Sequence, residues 1–198
     1  MSDPQGARWR AIAAGLLMLA GSGLLEGAQA LAARARASVA PVASEQVRVA
    51  AAIRAKAPQV AEPLSERIAA SVVRCQREQA LAPDLVLAVL MQESSGRPSA
   101  HSSAGAIGLM QVMPYMSEEL ELPGSVSHVE TNIEAGCRLL ADNIRRLGED
   151  EGISAYCWGN TVGNDHYLLR VKKLRRDFRP YLMPDVVAPE VASARISG

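Results

Sequence analysis

Between Thr131 and Leu147 the apolar side chains Ile133, Cys137, Leu140, Ile144 and Leu147 recur every three or four residues. Only a helix places that spacing on one side, so the segment needs a partner surface to cover the stripe. Thr131 and Glu134 stand in the T-x-x-E relation of a capping box, and Gly148 suits a left-handed cap at the far end. Other segments follow the same rule. Ser65 to Ala80 carries Ile68, Val72 and Cys75 at helical spacing, with Ser65 placed as an N-cap. Pro83 suits the first turn of the next helix, along which Leu85, Val86, Val89 and Leu90 form one apolar face. Met113-Pro114 introduces a short helix that ends near Pro123-Gly124. Ile153 to Trp158 is another, and Asn164 to Phe178 is the last. No stretch alternates convincingly as a half-buried strand does, which leaves room for no more than a small β-hairpin around Ser99 to Ile107. The fold is expected to be mainly α.

Composition narrows the chemistry. The 198 residues are 48% hydrophobic but only 4% aromatic, with one Phe, so Leu, Val, Ile, Ala and Met must build the core. The formal net charge is zero, which argues against a nucleic-acid partner. Arg170, Lys172, Lys173, Arg175, Arg176 and Arg179 crowd the last helix, a run that reads as a solvated face rather than a polymer-binding patch. His101, His128 and His166 are scattered and no CxxC pair occurs, so no metal site and no cofactor are expected.

The chain divides into four segments. Arg8 and Arg10 precede an uncharged run from Ala11 to Leu25, followed by the small-x-small pattern Ala28-Gln29-Ala30. This reads as a cleaved Sec-type signal over residues 1–30, with periplasmic delivery; an uncleaved anchor is the competing reading. Trp9 separates the two arginines, against a twin-arginine signal. Residues 31–62 are Ala-rich and interrupted by Pro41 and Pro58, as in a linker or loosely helical stalk. Residues 63–183 form the folded unit, and 184–198 a flexible tail. Export permits disulfides, and Cys75, Cys137 and Cys157 allow one pair with a free thiol, or three reduced cysteines.

Glu93 is the residue that points to chemistry. It follows Leu90, Val89, Val86 and Leu85 by three, four, seven and eight residues, which puts it on their face of the helix. Partial desolvation there favours the neutral carboxyl and raises its pKa. Ser94-Ser95-Gly96 and Pro98 end the helix beside it, and the negative end of the helix dipole acts in the same direction. A carboxyl protonated near neutral pH suits a general acid for glycosidic cleavage. In the loop beyond, Gly105 and Gly108 let backbone approach a ligand, and Ser102 and Gln111 offer hydrogen bonds to a sugar. Met110 and Met113 suit either a pyranose face or the core.

Glu93-Ser94 followed by Gly105-Ala106-Ile107-Gly108-Leu109-Met110-Gln111-Val112-Met113-Pro114 closely resembles the ES…GAxGLMQxMP signature of soluble lytic transglycosylase catalytic domains. Asn132 and Gly136 resemble the family's Asn and Gly ahead of a long helical segment, and Ala155-Tyr156-Cys157-Trp158-Gly159 its AYNxG motif. The resemblance covers about Ser65 to Tyr181. It implies a lysozyme-like helical domain with a central catalytic cleft. The implied reaction cleaves the β-1,4 bond from N-acetylmuramic acid to N-acetylglucosamine in peptidoglycan and leaves 1,6-anhydromuramic acid ends. By the same resemblance Glu93 matches the acid/base, while Ser102, Gln111, Met113 and Tyr156 match positions lining the substrate cleft. Tyr156 is expected to hold Glu93 by a hydrogen bond. Related specialised transglycosylases place cysteines so as to imply a Cys75–Cys137 bridge. The family Asn of AYN is replaced by Cys157, followed by the bulky Trp158, which puts subsite contacts in question more than the acid.

No second acid stands near the motif: Glu118, Glu119 and Glu121 read as a solvated helix face. Hydrolases generally flank the bond with two carboxylates, so a single acid suits the transglycosylase route. A lysozyme-type muramidase and a non-catalytic glycan-binding subunit are the rival readings. The expected partners are peptidoglycan glycan strands, met by a monomer serving a secretion, conjugation or pilus apparatus or general wall recycling.

Overall fold

The computed structural model describes residues 44–159 and 165–183. The expected signal segment, the first part of the linker and the tail lie outside the described residues. The described residues belong to one unit, Ser44–Gly198. It contains α1 (44–56), α2 (Glu62–Gln79), α3 (Pro83–Ser94), α4 (Met116–Glu119), α5 (Val129–Leu147), α6 (Glu149–Trp158) and α7 (His166–Leu182). In the loop between α3 and α4, two isolated bridges, His101 to Ile107 and Ile107 to Val112, stand where a hairpin was allowed. The fold is mainly α, in line with the helical periodicities.

Helix α3 is the axis of the unit. Every residue from Leu85 to Leu90 is at most 2% exposed, so the helix is apolar on all sides rather than along one face. It packs chiefly against α7 and also against α2, while α5 joins α2 to α6. Each of Leu85, Leu87 and Leu90 contributes about 2 kcal/mol through removal from water. A helix that needs apolar neighbours all round fixes where its two ends emerge, and the end bearing Glu93 opens toward α6 and α7.

The Cys75–Cys137 disulfide ties α2 to α5, with Cα atoms 6.0 Å apart. Closing a loop of 62 residues restricts the unfolded chain by about 4 kcal/mol. Arg67 donates to both carboxylate oxygens of Glu130 at 2.7 and 2.8 Å, joining the same two helices at the surface.

Several expectations are corrected. Residues 44–56 are helical, and Val49, Ala52 and Ile53 are fully buried, so the packed unit starts well before Pro63 and the linker reading fails for this part. Alanine suits a helix at close quarters as well as a loose stalk, and the three- and four-residue spacing of these side chains decides between them. Helix α5 starts at Val129, so Thr131 lies inside it; no side-chain cap bond forms, and Glu134 pairs with Arg138 instead. Ser65 likewise lies inside α2, buried, with its hydroxyl donating to the Glu62 carbonyl. The α5 stripe runs out at Leu147, which is exposed. The basic run on α7 is only partly solvated: Arg175 and Arg179 donate to Asp84, and Lys172 pairs with Asp150.

Candidate active site

Glu93 sits in the last turn of α3, half-buried. Its Oε1 accepts a hydrogen bond from the Tyr167 hydroxyl, 2.5 Å away, across from the first turn of α7. Among the described residues no hydrogen-bond donor reaches Oε2. Burial raises the carboxyl's pKa; the Tyr167 bond and the positive charge of Arg170 oppose that shift without cancelling it. The raised pKa expected from the position of Glu93 is therefore present, and desolvation is its main cause. Burial, and after it the negative charge of Glu93, pushes the Tyr167 and Tyr156 phenols up, so both remain neutral donors.

Tyr156 does not hold Glu93. Its hydroxyl donates to the Met110 carbonyl at 2.8 Å, so it braces the glycine-rich loop, and Tyr167 takes the role expected of it. The sequence reading missed Tyr167. The only local signal was a tyrosine one turn before Arg170 on a helix otherwise rich in cations.

The loop from Ala100 to Met113 is fixed from beneath. Asn132, buried in α5, accepts from the Met110 N–H at 2.8 Å and donates to the carbonyls of Ile107 and Val126 at 2.9 and 2.8 Å. Gly108 lies against that side chain with φ of 80°; a Cβ there would come within 2.4 Å of the Asn132 amide nitrogen. Gly136, one turn along α5, passes so close to Met110 and Tyr156 that a Cβ would lie 2.7 and 2.8 Å from them. The Asn-x-x-x-Gly pair is thus a socket for the loop rather than a ligand for substrate.

The remaining predicted site residues divide. Met110 is fully buried and fills the core, whereas Met113 is half-exposed on the loop. Gln111 adopts φ of 49°, and its side-chain N–H groups donate to the carbonyls of Ala100 and Gly108, so it shapes the loop and keeps only its carbonyl oxygen for a ligand. Ser102 is exposed and accepts from the Ala106 N–H, which leaves its own hydroxyl proton free to donate. Cys75 and Cys137 are bridged between α2 and α5 as the resemblance implied, and Cys157 is an exposed free thiol. Its pKa is raised by burial and by the negative charge of Glu93, against the opposing charge of Arg170. Trp158, next in the chain, is 46% exposed. Glu118, Glu119 and Glu121 are all exposed, and none contributes to the shift at Glu93. Among the described residues, no group of three His, Cys, Asp or Glu side chains is placed to hold a metal ion.

A half-buried acid anchored by one phenol, beside a glycine-braced loop on an all-helical frame, defines a class. Residues 72–167, from within α2 to Tyr167, match the family described as the transglycosylase SLT domain. Glu93, the loop, Asn132, Gly136 and Tyr156 all fall inside it. Over 85 residues the chain is 38% identical to a protein of Enterobacteria phage PRD1 named "Transglycosylase", a match covering 42% of this chain and 32% of that protein. The chain thus spans about a third of that relative's length. An inactive mutant of the lytic transglycosylase Slt from Pseudomonas aeruginosa matches with a TM-score of 0.45 and 20% identity, over 61% of this chain and 24% of that one.

Proposed function

We propose that this chain is a peptidoglycan lytic transglycosylase. It cleaves the β-1,4 bond between N-acetylmuramic acid and N-acetylglucosamine and closes a 1,6-anhydro ring on the muramyl product. One observation carries the reading: Glu93 has one oxygen anchored by Tyr167 and the other without a donor among the described residues, in a setting that favours its protonated form. Protonated, it donates to the leaving glycosidic oxygen. The substrate's own acetamido group stabilises the positive charge that develops at C1. The Glu93 carboxylate then takes the proton of the C6 hydroxyl as that oxygen attacks C1, and the acid is restored. One carboxyl serves both steps, and among the described residues no second carboxylate contributes to its shift. The braced loop offers Ser102 and the half-exposed Met113 to the sugar, with Gln111 and Tyr156 holding its shape.

In this reading the domain works as a monomer on glycan strands in the periplasm, after Sec-type export. The basic, uncharged and small-x-small succession over residues 8–30 supports that setting, as does a disulfide, which persists in oxidising compartments. Local opening of the wall for a secretion, conjugation or pilus apparatus fits such an enzyme, as does general wall recycling.

Mass analysis of products from purified peptidoglycan tests the reaction. Wild type should release anhydro-ended muropeptides. Glu93→Gln should lose at least about a hundredfold of that activity while keeping its helical spectrum. Reducing-ended products would make the enzyme a muramidase. Bound strands with no product would make it a glycan-binding subunit.

A further inference from the structure

The six cations of α7 are not equivalent. Lys172 pairs with Asp150, Lys173 with Asp177, Arg175 with Asp84 and Glu149, and Arg179 with Asp84. Arg170 and Arg176 have no ion pair or hydrogen bond among the described residues, and both are exposed. Their places differ. Arg170 follows Tyr167 by three residues and so shares its face of the helix, the face whose hydroxyl meets Glu93. The charge of Arg170 is felt both at Glu93 and at the Cys157 thiol, from α3 and α6 respectively. Arg176 lies six residues further along α7, and its charge has no part in either shift.

A guanidinium one turn from the tyrosine that anchors an acid, and without a partner among the described residues, has two uses. It could serve Glu93 itself, but a carboxyl that must be protonated is hindered by a neighbouring cation, and Arg170 makes no bond to it. The other use is a ligand. A guanidinium offers a planar fork of donors matched to a carboxylate. A glycan strand of the proposed substrate carries carboxylates only on the muramyl 3-O-substituent, as the lactyl group itself or on the peptide attached to it. The sugars to either side of the scissile bond are otherwise uncharged.

We propose that Arg170 is a specificity-determining residue that binds a carboxylate of the muramyl substituent and so registers the strand with a muramyl unit at Glu93. This rests on the transglycosylase reading and names what selects its substrate. Three observations carry it: Arg170 has no partner among the described residues, it lies one turn from the tyrosine bonded to Glu93, and of the α7 cations only the distant Arg176 is likewise unpaired there.

The test compares wild type, Arg170→Ala, Arg170→Lys and Arg176→Ala on two substrates, peptide-bearing strands and strands stripped by an amidase to the bare lactyl group. For Arg170→Ala, KM should rise about tenfold, with kcat within about twofold. Arg170→Lys should recover part of the loss, and Arg176→Ala should match wild type. A rise confined to stripped strands assigns the lactyl carboxylate, which the peptide bond masks in intact strands; a rise confined to peptide-bearing strands assigns a peptide carboxylate, and a rise on both means that Arg170 takes either. Strand binding is measured in parallel with Glu93→Gln and the Glu93→Gln/Arg170→Ala double variant, which need no turnover. If wild type cleaves neither strand, the transglycosylase reading falls, and weaker binding by the double variant would still support Arg170. Unchanged KM and binding in Arg170→Ala, with only a displaced pH profile, would overturn the proposal and leave Arg170 as a modulator of Glu93.

Discussion

At the first turn of α3, Asp84 is buried, takes the Leu85 N–H on one oxygen and receives Arg175 and Arg179 on the other. At the last turn of the same helix, Glu93 is half-buried and takes one neutral phenol. The helix dipole favours negative charge at the first place and disfavours it at the second. Helix α7 supplies both partners, arginines toward its far end and a tyrosine at its start. The pairing of two helices thus makes one carboxylate a fixed structural charge and leaves the other poorly compensated. Only the second can exchange a proton with a substrate without loosening the fold.

That contrast can be broken at either end. Asp84→Ala strips Arg179 of its partner and leaves Arg175 with Glu149 alone. It should cost about 3 kcal/mol in urea unfolding, at the lower end for buried pairs because Arg179 is half-exposed. The pH profile of the remaining folded enzyme should not move. A loss below about 1 kcal/mol would mean that the near end of α3 is not clamped as the geometry suggests. Tyr167→Phe probes the far end with a smaller effect. Turnover should fall about tenfold, the scale of one hydrogen bond to a charged group. Because that bond favours the ionised carboxylate, its loss should raise the Glu93 pKa further and carry the profile to higher pH. Tyr156→Phe, by contrast, should leave the profile's position alone, since its hydroxyl holds Met110.

The near and far ends of α3 also differ in how far they could be read from sequence. Glu93 was legible because its offsets from Leu85, Val86, Val89 and Leu90 are local, and because the glycine-rich motif follows at a fixed spacing. The Cys75–Cys137 bridge came from family resemblance, since three cysteines alone leave the pairing open. Asp84 was not legible: its arginines lie 91 and 95 residues away, and a charged run on a helix face reads the same whether it is solvated or paired. Tyr167 lies 74 residues from Glu93, and the nearer motif tyrosine, Tyr156, was an attractive but wrong substitute. Helix α1 was missed because an alanine-rich composition hides the buried stripe Val49, Ala52 and Ile53. Local spacing reveals which face is apolar; it does not reveal which distant group meets that face.

The most direct test is to follow the Glu93 carboxyl carbon by NMR in intact protein labelled at glutamate side chains, with Glu93→Gln to assign the signal. Burial outweighs Tyr167 and Arg170, so its titration midpoint should lie above the ordinary glutamate value of 4.5, and activity should decline as pH rises through that midpoint. A midpoint at or below 4.5, or activity that rises while Glu93 loses its proton, would contradict the assignment of Glu93 as the proton donor.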